Sequence, residues 1–104
     1  MKDQAEILFT IKTLVTAELQ DARLYLFGSQ ATGIINDESD WDILVITSAP
    51  VTKDLKSRLH SIVYPVSRAI FSYIDLVVVN EKDWAEDPAY YGLSLSINNS
   101  SRRI

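Results

Sequence analysis

Residues 24–46 read LYLFGSQATGIINDESDWDILVI, and this stretch decides the fold. Two apolar runs, Leu24 to Phe27 and Ile43 to Ile46, are short and rich in β-branched or aromatic residues, as buried strands are. Between them stand Gly28 and Ser29, then ten residues, then Asp40-Trp41-Asp42 at the mouth of the second strand. Side chains alternate along a strand, so Asp40 and Asp42 project from one face, roughly 6.6 Å apart along the chain. Trp41 and Ile43 take the other face. Two acids therefore sit side by side where folds normally bury apolar groups.

Electrostatics gives that placement a reason. At an effective dielectric of about 20, two carboxylates about 4 Å apart repel by roughly 4 kcal/mol. They must share a proton, diverge into water, or bind a cation. A divalent metal with oxygen ligands is the natural cation, and Mg²⁺ usually takes one or two carboxylates plus substrate phosphates. The Gly-Ser turn suits such a substrate. Gly28 has no Cβ, so backbone can come close to a phosphate. Ser29 can cap a short following helix whose N–H groups attract anions. Metal-binding acids facing an anion cradle point to nucleotide chemistry.

Gly28-Ser29, ten residues and Asp40-x-Asp42 together resemble the defining motif of the DNA polymerase beta superfamily of nucleotidyltransferases. In size the chain resembles the minimal nucleotidyltransferases (MNT), the antitoxin partners of HEPN toxins. In that family a third acid follows on a later strand within an apolar run, and Asp75 in SYIDLVVV, residues 72–79, matches it. The resemblance extends from the helix before Gly28 to the strand carrying Asp75. It departs at Thr32, where members often carry Arg in the pattern GSxARG.

The resemblance implies a polymerase beta-like fold and transfer of a nucleoside monophosphate from an NTP, ATP above others, to a hydroxyl. It implies that Asp40, Asp42 and Asp75 are catalytic and hold two Mg²⁺ ions, with Gly28 and Ser29 binding the nucleotide's phosphates. It also implies a HEPN-type toxin as the protein partner. A second class of function stays open: a toxin-neutralising binding module with a vestigial nucleotide site, a reading that Thr32 sustains. Transfer to a small molecule such as an aminoglycoside ranks last, because those relatives carry an added helical domain.

Composition bounds these readings. The 104 residues are expected to form one domain, 1–104, able to bury a modest core. Apolar content of 47% and charged content of 23% are ordinary globular values. There is no cysteine, so disulfides and thiolate metal sites are excluded. The opening MKDQAEILFT does not read as a secretory signal, and no apolar segment approaches the ~20 residues that cross a bilayer. The expected location is the cytoplasm, with no membrane contact. A net charge of −4 argues against direct nucleic-acid binding, which needs clustered Lys and Arg.

The remaining pattern predicts an α/β or α+β architecture: a small mixed sheet flanked by two or three helices. Ile7, Leu8, Ile11, Val15 and Leu19 recur at helical spacing, so residues 3–20 read as a helix, with Asp3 as N-cap and Glu6 at capping-box spacing. Residues 29–33 read as a helical turn and residues 34–39, with Asp37 and Glu38, as a solvated loop. The second strand, residues 40–47, is apolar on both faces, as a central strand is. A second helix spans residues 52–68 with Thr52 as its cap, and Pro65 is expected to kink or end it near Val63 or Tyr64. His60 lies one step off its apolar stripe and reads as a boundary residue. A third strand spans residues 72–80. Beyond it, EKDWAEDP reads as a polar connector anchored by Trp84, Pro88 to Asn98 as a short helix, and residues 98–103 as a frayed, solvated tail, with contact of Arg102 and Arg103 to a nucleotide or partner as the lesser alternative.

Overall fold

The computed structural model describes residues 3–28 and 40–104. Four strands form one mixed sheet: β1 (Arg23–Phe27), β2 (Trp41–Thr47), β3 (Ile74–Asn80) and β4 (Arg102–Arg103), in the spatial order β3-β2-β1-β4. β2 runs antiparallel to β1 and parallel to β3, and β4 pairs antiparallel with the outer side of β1. The predicted central position of β2 is what forms. The expected turn at 29–33 and loop at 34–39 lie outside the described residues, as do Ser29, Thr32, Asp37 and Glu38.

Alternation sorts the sheet into two faces. One face carries Leu24, Leu26, Trp41, Ile43, Val45, Ile74, Leu76 and Val78, all buried. It is covered by α1 (Gln4–Glu18) and α2 (Lys53–Ile70), which supply Ile7, Leu8, Ile11 and Val15, and Leu55, Leu59, Val63 and Val66. Each helix starts with a side-chain cap. Asp3 Oδ1 accepts from the Glu6 backbone N–H at 2.8 Å, and Thr52 Oγ1 from that of Leu55 at 3.1 Å. Arg58 ties the two helices together, donating to Glu18 at 2.6 Å. The other face carries Tyr25, Phe27, Leu44, Ile46, Val77 and Val79, which pack against Trp84, Tyr90, Leu93 and Ile97.

Three expectations are corrected. α2 does not end near Val63 but runs through Pro65 to Ile70. Pro65 and Ser61 are both exposed, so the Ser61 carbonyl that loses its partner faces water, while Val63 and Val66 keep their core contacts. Phe71 then closes the helix in the left-handed conformation at φ 53°. The polar connector is itself a helix, α3 (Glu81–Glu86), because Asn80 caps it by accepting from the Lys82 N–H at 2.9 Å. A 3₁₀ turn (Pro88–Tyr90) and α4 (Tyr91–Ser100) follow. Trp84 is the anchor expected of it, its ring 6.0 Å from that of Tyr90.

The tail is not frayed either. Arg102 pairs with Leu26 and Arg103 with Tyr25, and the Ile104 N–H donates to the Leu24 carbonyl at 3.0 Å. The edge of β1 has unsatisfied backbone groups, and they capture the next segment able to reach them. Arg102 reaches across to Gln4 Oε1 at 2.6 Å, and Arg103 lies over the Tyr25 ring, 6.0 Å from its centroid.

At the far end of β2 a polar network closes the sheet. Asp21 accepts from Thr47 Oγ1 at 2.9 Å, from the Ser48 N–H at 2.6 Å and from Ser48 Oγ at 2.5 Å. Asn80 Nδ2 donates to the Ala49 carbonyl at 3.0 Å. Thr47 is buried, and its hydroxyl also accepts from the Ala49 N–H at 3.1 Å.

Candidate active site

The acids gather at the opposite end of β2. Asp42 pairs in register with Asp75 on β3 and with Phe27 on β1. Residues directly opposite each other in a sheet share a face, so the carboxylates of Asp42 and Asp75 stand side by side on the face opposite α1 and α2. Both are half-buried. Asp40 precedes β2 and is exposed, close enough to act electrostatically on Asp42. Burial, then Asp75, then Asp40 hold the Asp42 carboxyl above its ordinary range.

Gly28 explains how Asp42 fits. Its backbone sits at φ +74°, a conformation that side chains disfavour. A Cβ there would collide with the Asp42 carboxylate oxygen and stand 3.3 Å from its Cγ. The glycine therefore makes room for an acid on the neighbouring strand. Sequence reasoning had it make room for a phosphate. The signal was available in the β1–β2 register, which sets Phe27 opposite Asp42 and so leaves the next residue beside it.

No cation among the described residues offsets the charge on this corner. Among the described residues the ion pairs are Arg23–Glu81, Arg58–Glu18 and Arg58–Asp54, and none involves Asp40, Asp42 or Asp75. None of these ion pairs gives the half-buried Asp75 a Lys or Arg partner. An all-oxygen, anionic donor set suits a small divalent cation. Among the described residues, no group of three or more acids or histidines is drawn together as an ion-binding cluster. His60 lies on α2, half-buried and lining a cavity with Tyr64 and Tyr73.

The model of the nucleotidyltransferase domain matches residues 10–89. The chain belongs to the nucleotidyltransferase domain family. The matched span contains Gly28, Asp40, Asp42 and Asp75, and nucleotidyltransferases of this fold depend on a divalent metal. A search of the curated proteins finds no match. Solved structures share the fold. Spectinomycin adenyltransferase from Enterococcus faecialis, with ATP and spectinomycin, is 25% identical with a TM-score of 0.67, over 81% of this chain and 37% of that one. A toxin–antitoxin complex with AMP-PNP is 21% identical with a TM-score of 0.68, over 91% and 69%. A tri-AMPylated HEPN toxin with its MNT antitoxin, from Shewanella oneidensis, is 19% identical with a TM-score of 0.66, over 97% and 71%. The chain thus spans little more than a third of the adenyltransferase. No helix among the described residues of this nucleotidyltransferase domain is long and apolar enough to cross a membrane.

Proposed function

We propose that this nucleotidyltransferase domain transfers a nucleoside monophosphate from ATP to a hydroxyl on a HEPN-type toxin, and so acts as its antitoxin. The observation carrying the chemistry is the register pairing of Asp42 with Asp75, beside a glycine that leaves space for the Asp42 carboxylate. Support for ATP and for the partner comes from the structural neighbours, among them complexes with AMP-PNP, with ATP and with an AMPylated HEPN toxin.

Asp40 and Asp42 would hold Mg²⁺, with Asp75 completing the ligand set. When bound, the ions would neutralise the triphosphate and the departing pyrophosphate. Gly28 and Ser29 would orient the β and γ phosphates. Asp75 would accept the proton of the attacking hydroxyl. The hydroxyl oxygen forms its bond to the α-phosphorus, the bond from that phosphorus to the bridging oxygen breaks, and pyrophosphate leaves.

The test is transfer of α-labelled ATP in Mg²⁺ buffer to a co-purified HEPN-type partner. Label is expected on the partner with the wild-type chain and absent with Asp42→Asn. Label that survives the substitution overturns the mechanism. Neutralisation of the toxin with no nucleotide binding by calorimetry supports the binding-module reading instead.

A further inference from the structure

An NTP approaching this corner meets a chain of net charge −4 and three acids that form no ion pair among the described residues. Residues 28–40, GSQATGIINDESD, contribute no Lys or Arg and three further or shared acids, Asp37, Glu38 and Asp40. Metal ions offset part of this. A protein cation for the phosphate chain has to come from elsewhere in the fold.

Register supplies a candidate. Arg103 is paired with Tyr25, and Tyr25 shares the sheet face of Phe27, Asp42 and Asp75. Arg102, one residue earlier, is paired with Leu26 and reaches Gln4 on the opposite face. Of the arginines placed on the acid face by this register, Arg23 contacts Glu81 at 3.9 Å, whereas Arg103 meets no carboxylate among the described residues. It is exposed, lying over the Tyr25 ring. Arg103 and Asp42 are separated by two strand spacings of about 4.8 Å and one two-residue step of about 6.6 Å, on the order of 12 Å between backbones. That is too far for an ion pair, but an extended polyphosphate with one end at the carboxylates can span much of it, and a long guanidinium side chain the rest.

We propose that Arg103, delivered by β4 and steadied over Tyr25, is the arginine that grips the polyphosphate chain of the nucleotide. The inference rests on the nucleotidyltransferase reading of the acids. A planar guanidinium suits phosphate oxygens, and stacking on an aromatic ring limits the freedom it loses on binding. The backbone pairing of β4 carries the strand, so the guanidinium is spare for a ligand.

Calorimetry with AMP-PNP and Mg²⁺, beside adenosine alone, separates the outcomes. Arg103→Gln, which keeps length and removes charge, is expected to weaken AMP-PNP binding about ten- to a hundred-fold and to leave adenosine binding unchanged. Arg103→Lys should recover part of the loss. Arg102→Ala should bind AMP-PNP as the wild type does, and the melting temperature of each variant reports whether β4 is still docked. Wild-type affinity for AMP-PNP in Arg103→Gln, or equal losses for AMP-PNP and adenosine, overturns the assignment while leaving the acids their role. A wild-type chain that binds no nucleotide overturns both.

Discussion

The two ends of β2 treat an aspartate in opposite ways. At the Thr47 end, Asp21 is surrounded by donors: the Ser48 hydroxyl, the Ser48 N–H and the Thr47 hydroxyl all point at it. Those hydrogen bonds, Ser48's side chain foremost, hold its carboxyl below the ordinary range. At the other end, Asp42 is half-buried beside Asp75 and near Asp40, with its carboxyl held above that range. One carboxylate is satisfied by its own chain, and the other forms no ion pair among the described residues. An uncompensated charge lowers stability, and folds keep such arrangements where a ligand completes them.

The sharpest way to break this contrast is to remove each charge in turn. Asp42→Asn should reduce nucleotidyl transfer by about a thousand-fold or more, since several kcal/mol of transition-state charge stabilisation go with the metal. Its melting temperature should hold or rise, because a repelled carboxylate is gone. Asp21→Asn should do the reverse, lowering the melting temperature and sparing transfer. Loss of both properties in either variant would mean that the two ends are one cooperative unit.

Gly28→Ala comes next in size. The added methyl collides with the Asp42 carboxylate and sits at a backbone conformation costing about 1–3 kcal/mol. A displaced ligand can cost about a hundred-fold in rate. Steady-state transfer and thermal unfolding measured on the same sample should therefore fall together, unlike in Asp42→Asn. At the other end, Thr47→Val keeps shape but removes the buried hydroxyl that joins Asp21 to the Ala49 N–H. A loss of about 1–3 kcal/mol should lower the melting point by roughly 4–8 °C for each of them in a domain of this size, with transfer unchanged.

Much of the acid end was legible in the sequence, and the donor end was not. Asp40 and Asp42 stood out as an Asp-x-Asp pair at the mouth of an apolar strand, and Asp75 because it interrupts an apolar run; the strand period alone puts Asp42 and Asp75 on faces that the sheet then aligns. Asp21 gave no such signal, since it lies in a short polar turn and its partners Thr47 and Ser48 are 26 and 27 residues away. The same limit applies to the pairing of β4, although its two arginines were legible as a lesser candidate for contact with a nucleotide. A two-residue strand has too little pattern to declare itself, and its pairing with β1 depends on where α4 delivers the chain. The helix at Glu81–Glu86 was missed because its few apolar residues show no period. Pro65 misled because sequence rules count the lost hydrogen bond without knowing that it faces water.

Acid titration provides the smallest test of the contrast, and the two ends should respond with opposite sign. For Asp21 the folded value lies below the ordinary 3.8, so the unfolded chain binds its proton more readily. Its contribution to stability is present above pH 3.8 and is lost as the pH falls through the folded value. For Asp42 the folded value lies above 3.8, so the folded chain binds its proton more readily. Its cost is present at neutral pH, is relieved as the pH falls through that raised value, and is gone below 3.8. In urea unfolding across this range, the deficit of Asp21→Asn should stay constant from neutral pH until the pH drops below 3.8, then shrink. Any advantage of Asp42→Asn should shrink earlier, at a pH above 3.8. Divalent metal in the buffer sharpens the distinction, because an ion bound at Asp42 favours its charged form and should erase the variant's advantage while leaving the Asp21 curve where it was.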